Sequence, residues 1–365
     1  MINGSDRMRD FLLFDTCLFL NIATTAYAQD HCAVVLGEAE AKYKQGKLYE
    51  IPEILNECLS NGFTQEEKIR AYRLLTLAYL FLDYDNEADV SYLELLKLSP
   101  EYKPNEDLDP MEIIIHSTKF TTKPKYYLTF AKAGINFSQA NVLMDYSISQ
   151  SFNETDAYKS VAGFHLGAGA EMVLYQNLHL SGELFLTQKK LHLSDTHWDF
   201  YSTNLDIAHA KVELPIMLKY NFFRGKINPF IAGGASPGFL LHSNVQNIKG
   251  AYRQSSDTEG MPDEYFPVQP RPKINTTKMK NRFNYSLLFG GGINYKIGLN
   301  YLVFEARYSI GMLNVTDEKK RWRDDFDAGR ELKFPTGHID DDFKINNLSF
   351  FIGYVKPLYK PRRIK

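Results

Sequence analysis

The sequence predicts an all-β transmembrane barrel of about eight antiparallel strands, with a small all-α helical-repeat domain ahead of it. Three observations carry the prediction. Val212, Leu214, Ile216, Leu218, Tyr220 and Phe222 alternate with Lys211, Glu213, Met217, Lys219 and Asn221, so one face is oily and the other mostly polar. Several segments after residue 124 repeat this pattern, joined alternately by tight turns and by stretches of roughly 18 to 40 residues, the loop asymmetry of outer-membrane barrels. Composition agrees: of 365 residues 14 % are aromatic, while a mean hydropathy of −0.32 is too polar for a bundle of membrane helices. A barrel reconciles these values because only every second strand residue must be apolar. The near-balanced charge of −2 offers no basic face for nucleic acid.

The chain opens on a secretory pattern. Arg7 and Arg9 precede a mostly apolar stretch from Phe11 to Thr25, interrupted by Asp15, and Ala26-Tyr27-Ala28 is a small-x-small cleavage site. This predicts a leader over residues 1–28, with Met1 or Met8 as the start. The alternative, a spanning helix, needs ~20 apolar residues.

Residues 29–103 read as helices. Leu36, Ala39 and Tyr43 recur at helical spacing, and Gly46 ends the run. Pro52 suits a first helical turn, where its missing N–H is harmless. Ile51, Ile54, Leu55, Cys58 and Leu59 follow as an apolar stripe, broken by Gly62. Thr64 with Glu67 forms a capping box, and Ala71, Leu74, Leu75, Ala78 and Leu82 make the next buried stripe. A fourth helix follows Asn86 and stops before Pro100. Tyr43 and Tyr79 stand 36 residues apart. Two such helix pairs resemble tetratricopeptide-like repeats, with generic helical hairpins as the alternative, and fall short of the ~3 repeats a solenoid usually needs. Cys32 opens the first helix and Cys58 lies near the end of the second. Antiparallel packing brings those ends together, so in an exported protein the pair is expected to oxidise and to stabilise the fold by roughly 3 kcal/mol; two buried free thiols are the alternative. Residues 104–124, punctuated by Pro104, Pro110 and Pro124, read as a linker with a short helix at Met111 to His116.

The barrel is expected over residues 125–360, with strands near 126–138, 160–175, 178–193, 210–223, 227–242, 282–297, 300–315 and 346–358, and a basic tail at 361–365. In the second strand Phe164, Leu166, Ala168, Ala170, Met172 and Leu174 face outward, leaving His165 and Glu171 to the lumen. In the third, Leu178, Leu180, Leu184 and Leu186 alternate with His179, Ser181 and Glu183. In the seventh, Leu302, Phe304, Ala306 and Tyr308 alternate with Glu305, Arg307 and Ser309. Tyr175, Tyr220, Phe222, Tyr295, Tyr301 and Tyr354 are placed in an aromatic girdle near the short turns. Those turns put the start of the first strand, the end of the last and the helical domain in the periplasm. A soluble barrel with an oily interior is the alternative, but charges on the polar face fit a small lumen filled by paired side chains.

These strands resemble the PorT family of outer-membrane β-barrels, common in Bacteroidetes. The likeness rests on Glu213-Leu214-Pro215-Ile216-Met217-Leu218-Lys219-Tyr220, Pro229-Phe230-Ile231-Ala232-Gly233-Gly234-Ala235, Phe289-Gly290-Gly291-Gly292 and the segment from Glu305 to Val315. It covers roughly residues 125–360 and implies a role in the envelope, the family's namesake belonging to a secretion and gliding machinery. Leu95 to Tyr102 is similar to the end of a tetratricopeptide-like unit in envelope proteins of the same bacteria.

His165 and His179, with Glu171 and Glu183 nearby, carry the residue types of a His–carboxylate hydrolase, but no triad spacing accompanies them. The expected role of His165, Glu171, His179, Glu183, Glu213, Lys219, Glu305 and Arg307 is a lumen network of paired polar groups. Asp340-Asp341-Asp342 lacks the spacing of a calcium loop and reads as a solvated acidic surface, beside Lys319 to Arg323. No cofactor, metal or nucleotide motif is present. The expected function is a non-enzymatic outer-membrane barrel anchoring a periplasmic interaction domain in a secretion, motility or surface-assembly complex. Its partners would be outer-membrane lipid, lipopolysaccharide and a periplasmic or outer-membrane protein. A small channel or transporter and a membrane-embedded lipid-modifying enzyme are the alternatives.

Overall fold

The computed structural model describes residues 31–146, 157–197, 201–223, 225–254, 264–268, 273–321 and 339–364. The leader expected over residues 1–28 lies outside them. The chain divides into two units, Met1–Pro124 with Tyr359–Lys365, and Lys125–Leu358.

The first unit is helical. Its helices are α1 (31–44), α2 (Ile51–Ser60), α3 (Gln65–Phe81), α4 (Asp85–Leu98) and α5 (Met111–Ser117). Gly46 closes the first at a positive φ of 77°, a conformation that costs glycine nothing. Pro52 lies in the first turn of α2. Thr64 caps α3: its hydroxyl accepts from the Glu67 N–H, and its own N–H donates to the Glu67 carboxylate at 2.8 Å. The apolar stripes meet in a core of Leu36, Ala39, Ile51, Leu55, Ala71 and Leu74, and a second core joins Leu77, Tyr92, Leu95, Leu96, Ile113 and Phe120.

Ile113 and Phe120 lie in the stretch read as a linker with a short helix. That helix forms as α5, and the stretch packs rather than hanging free, because α5 has an apolar face to bury and Arg73 pairs with Asp109. The basic tail is likewise structured. Strand β1 (Phe120–Thr121) pairs antiparallel with β13 (Arg362–Arg363), Arg363 pairs with Asp89, and the Ile364 N–H donates to the Lys119 carbonyl at 2.7 Å.

The second unit is an antiparallel barrel built from β2 (Tyr126–Met144), β3 (Ala157–Tyr175), β4 (Leu178–His197), β5 (Tyr201–Glu213), β6 (Ile216–Asn221), β7 (Ile227–Gln254), β10 (Phe283–Ile297), β11 (Asn300–Gly311) and β12 (Asp342–Leu358). Short β8 (Glu264–Val268) and β9 (Ile274–Asn275) add to the upper edge of β7. Strands β5 and β6 are one strand interrupted at Leu214-Pro215. Proline has no N–H for the ladder, yet the Leu214 N–H reaches the Pro237 carbonyl and the Glu183 N–H reaches the Pro215 carbonyl, both at 2.9 Å. Eight strands therefore run round the ring, and β10 pairing with β7 closes it. Closure leaves no strand edge to lipid, which a membrane-spanning sheet requires.

The strands are longer than expected, and the reason is physical. A tilted span needs about 9–11 residues, whereas β4 has 20. Along β4 the same inward face carries His179, Ser181 and Glu183, then Leu191 and Leu193, all buried. Its outward face carries exposed Leu184 and Leu186, then Lys190 and His192. The apolar face changes sides within one strand. Strand β5 does the same, with Leu205 and Ile207 inward above His209 and Lys211, and β12 follows with Phe343 and Ile345 inward above Asn347 and Ser349. Below the change the barrel is dressed for lipid outside and polar groups inside. Above it, Leu191, Leu193, Leu205, Ile207, Val245, Phe343 and Ile345 form an oily core of the kind water-surrounded barrels have. The long loop expected around residues 194–209 is thus mostly strand, and only residues 198–200 separate β4 from β5.

Candidate functional site

The interior of the lipid-facing zone holds every sequence-predicted polar residue, arranged in separate clusters. Alternation forces this placement, because each residue sits between two outward apolar neighbours. In the central cluster, the Lys132 ammonium donates to Glu183 at 2.6 Å and to Glu305, while Arg307 donates to Glu183 at 2.7 Å and to Glu305 at 2.9 Å. Two cations and two carboxylates balance. Phe351 lies 4.9 Å from the guanidinium and 5.1 Å from the ammonium, which adds a cation–π attraction. All four charged side chains are at most 5 % exposed.

Toward the short turns, Lys219 donates to Glu171 at 2.9 Å, and His179 lies 3.4 Å from the same carboxylate, stacked on Tyr127. Tyr301, expected in the outer girdle, belongs to this layer. Its parity puts it opposite Leu302, facing inward, and its ring lies 6.3 Å from that of Tyr127. Met217, Phe230, Leu288 and Val303 pack against these rings inside the lumen. Of the other girdle positions, Tyr175, Tyr220, Phe222 and Tyr354 are exposed on the outside and Tyr295 is half-buried.

Away from those turns, His165 lies 2.8 Å from the Thr187 hydroxyl and 3.0 Å from that of Ser349. Glu213 accepts from Lys189 at 2.7 Å and from Thr187 at 3.2 Å. His165 and His179 therefore occupy different levels, each with its own partners, and the structure does not assemble them into one site. Among the described residues, two small cavities lie between the layers, of about 10 Å³ beside Lys211 and about 30 Å³ beside His179. A single water needs ~10–15 Å³.

Lys132 and Lys189 belong to these clusters and were not singled out in the sequence. The alternation of Ala133, Ile135 and Phe137 around Lys132 was the available signal. Above the lipid zone the acidic run also reads differently. Asp340, Asp341 and Asp342 are buried, not solvated. Asp340 lies 2.8 Å from Lys280, Asp341 accepts from the Tyr158 hydroxyl at 2.8 Å, and Asp342 pairs with Arg321, whose guanidinium lies over Tyr146. Cations distant in sequence thus pair with Asp340 and Asp342, while a hydroxyl and the Tyr146 N–H serve Asp341. Asp324, Asp325 and Asp327 lie outside the described residues.

In the helical unit, Cys32 and Cys58 are joined by a disulfide and are both buried. His116 is buried against Tyr92 and Phe120, 3.3 Å from Asp89. Burial holds its imidazole below the usual value, and the Asp89 carboxylate opposes part of that shift. Burial pushes the Tyr92 phenol up to about 12.

Residues 123–317 match the family model described as outer membrane protein beta-barrel domain. Comparison with curated protein sequences returned no match. Among solved structures, Neisserial surface protein A is 11 % identical over 64 % of this chain and 97 % of its own, with a TM-score of 0.30. OprG from Pseudomonas aeruginosa is 8 % identical over 67 % of this chain and 98 % of its own, at 0.34. Ail, the attachment invasion locus protein of Yersinia pestis, is 11 % identical over 64 % and 99 %, at 0.26.

Proposed function

This chain belongs to the outer-membrane β-barrel domain family, and from that premise we propose that it is a non-enzymatic anchor whose closed barrel carries a helical protein-interaction unit in the periplasm. The observation that carries the reading is the filled lumen. Among the described residues, balanced ion pairs, aromatic rings and apolar side chains occupy successive levels, and the voids beside Lys211 and His179 are only about 10 and 30 Å³. A conduit needs a continuous polar path, and an enzyme needs a cleft that admits substrate. The change of the apolar face within β4, β5 and β12 supports the membrane setting, since a barrel wholly in water would keep its oily face inward throughout.

The short connections at residues 176–177, 222–226 and 298–299 lie at the strand ends where the chain enters the barrel at Lys125 and leaves it at Leu358. Outer-membrane barrels turn their short connections to the periplasm, which assigns the helical unit to that side and the oily-cored extension to the outside. The helices bind a periplasmic or outer-membrane protein of a secretion, motility or surface-assembly complex, while lipid and lipopolysaccharide surround the barrel.

Two measurements on the intact protein test this. In planar bilayers the purified protein is expected to give no sustained current; a substrate-selective current overturns the anchor in favour of a channel. In crosslinked outer membranes, a defined neighbour recovered with the full chain is expected to be lost when residues 31–117 are deleted. Equal recovery by the barrel alone removes the interaction role of the helices.

A further inference from the structure

The charge balance of the lumen breaks at one level. Just below the oily core, Lys189 pairs with Glu213 at 2.7 Å and Lys280 lies 2.8 Å from Asp340. Lys211 is also buried, 6 % exposed, and among the described residues it has no hydrogen-bond or ion-pair partner. His209, fully buried in the same neighbourhood of Lys189, Lys211, Lys280 and Asp340, has neither ring nitrogen hydrogen-bonded. Three ammonium groups thus face two carboxylates. An isolated buried charge is costly, and interiors satisfy it with a counter-charge.

A void adjoins the unmatched cation. The cavity of about 10 Å³ is lined by Lys189, Lys211, Glu213, Ser236, Asn284 and Ser286. Its lining supplies two ammonium groups against one carboxylate, with two hydroxyls that can donate. The Asn284 amide nitrogen donates to the Leu313 carbonyl, so the side chain is held in place. The space suits a single spherical occupant and excludes a carboxylate- or phosphate-bearing molecule.

From this coincidence of an unmatched buried cation, a lining with one ammonium more than carboxylates and a one-atom void, we infer that the lumen binds one monatomic anion, a halide such as chloride, between Lys189 and Lys211. The anion completes the charge balance of the level and enters as the barrel folds, since the void is enclosed by strands and by Ile345 above it. This goes beyond the anchor reading and does not depend on it.

The full-length protein, refolded into vesicles in sodium chloride or in sodium gluconate at equal ionic strength, provides the test. The urea midpoint, read from the gel shift between folded and unfolded forms, is expected to be higher in chloride and to rise with chloride to a plateau. Lys211→Met is expected to abolish the difference, and Ser286→Ala to shift the plateau to higher chloride. Crystals of the wild-type protein grown in sodium bromide are expected to show one anomalous peak between Lys189 and Lys211, which holds whether or not the variants fold. Equal midpoints in both salts, or bromide crystals with no peak there, overturn the proposal.

Discussion

Removing Arg307 tests whether the lumen is a balanced electrostatic core. Its guanidinium contacts Glu183 and Glu305 at 2.7 and 2.9 Å, and only Lys132 would remain to serve both carboxylates. Breaking a buried ion pair by deleting one partner costs about 3–5 kcal/mol, because the orphaned charge stays desolvated. Methionine fills most of the arginine volume, so Arg307→Met isolates the charge from the cavity. Adding Glu183→Gln leaves Lys132 facing Glu305 alone and restores neutrality. Replacing a buried pair by uncharged side chains is often close to neutral, so the double variant should recover most of the loss and sit within about 1–2 kcal/mol of wild type. Urea titration in lipid vesicles, scored as the folded fraction on unheated gels, measures both. If the two variants lose the same stability, or if Arg307→Met loses under ~1 kcal/mol, the central cluster is not held by charge balance.

Three further outcomes are expected. Leu184→Arg, on the lipid side of β4, should cost about 2–4 kcal/mol, and Leu193→Ala, in the oily core above, about 2–5 kcal/mol. Lys190→Ala, outward beyond the change of face, should stay within about 0.5 kcal/mol; a Lys190 effect equal to that of Leu184 would place the lipid boundary elsewhere. Reduction or Cys32→Ala with Cys58→Ala should lower the stability of the helical unit by roughly 3.5 kcal/mol in the chain-entropy model for a separation of 26 residues, read as an earlier loss of helical circular dichroism on heating. His116 gives a pH dependence. Its folded-state value is depressed, so the unfolded chain takes up the proton first and stability falls as pH drops below about 6.5. Thermal melts from pH 8 to 5 should show this decline for wild type and a shallower one for His116→Phe; identical slopes would assign the dependence to other groups.

Much of this fold was legible because alternation is a local signal. Parity alone placed Glu171, Glu183, Glu305 and Arg307 inside, and the capping box and helix-ending glycines located the helices. What escaped depends on information that is not local. Lys132 follows a register shift in β2 between Thr129 and Lys132, which hides the phase of the alternation. The upper part of β5 escapes because its apolar residues face the other way from those at Leu214 to Tyr220, so that along the sequence the alternation splits into two weak patterns. The acidic run at 340–342 gives no hint of burial, since Lys280, Arg321 and Tyr158, which meet its three carboxylates, arrive from other segments. Tyr301 lies near a turn, where a girdle residue belongs, but its parity opposite Leu302 turns it inward.

The pairing of β1 with β13 carries a consequence for the order of assembly. Thr121 and Arg362 are partners across roughly 240 residues of intervening chain, so the barrel is in effect an insertion within the helical unit. Joining two ends of a free loop that long is entropically unfavourable. Once the barrel ring has closed, however, Tyr126 and Leu358 are already neighbours on adjacent strands, and the loop left to close shrinks to a handful of residues. Loop-closure scaling puts the difference at about 3 kcal/mol. The small β1–β13 ladder is therefore a late event that registers completed insertion of the barrel, and slow exchange of the Ile364 amide should appear only after the ring has formed. A chain whose barrel stalls would leave the edge at Lys119 to Thr121 open, ready to pair with whatever strand it meets.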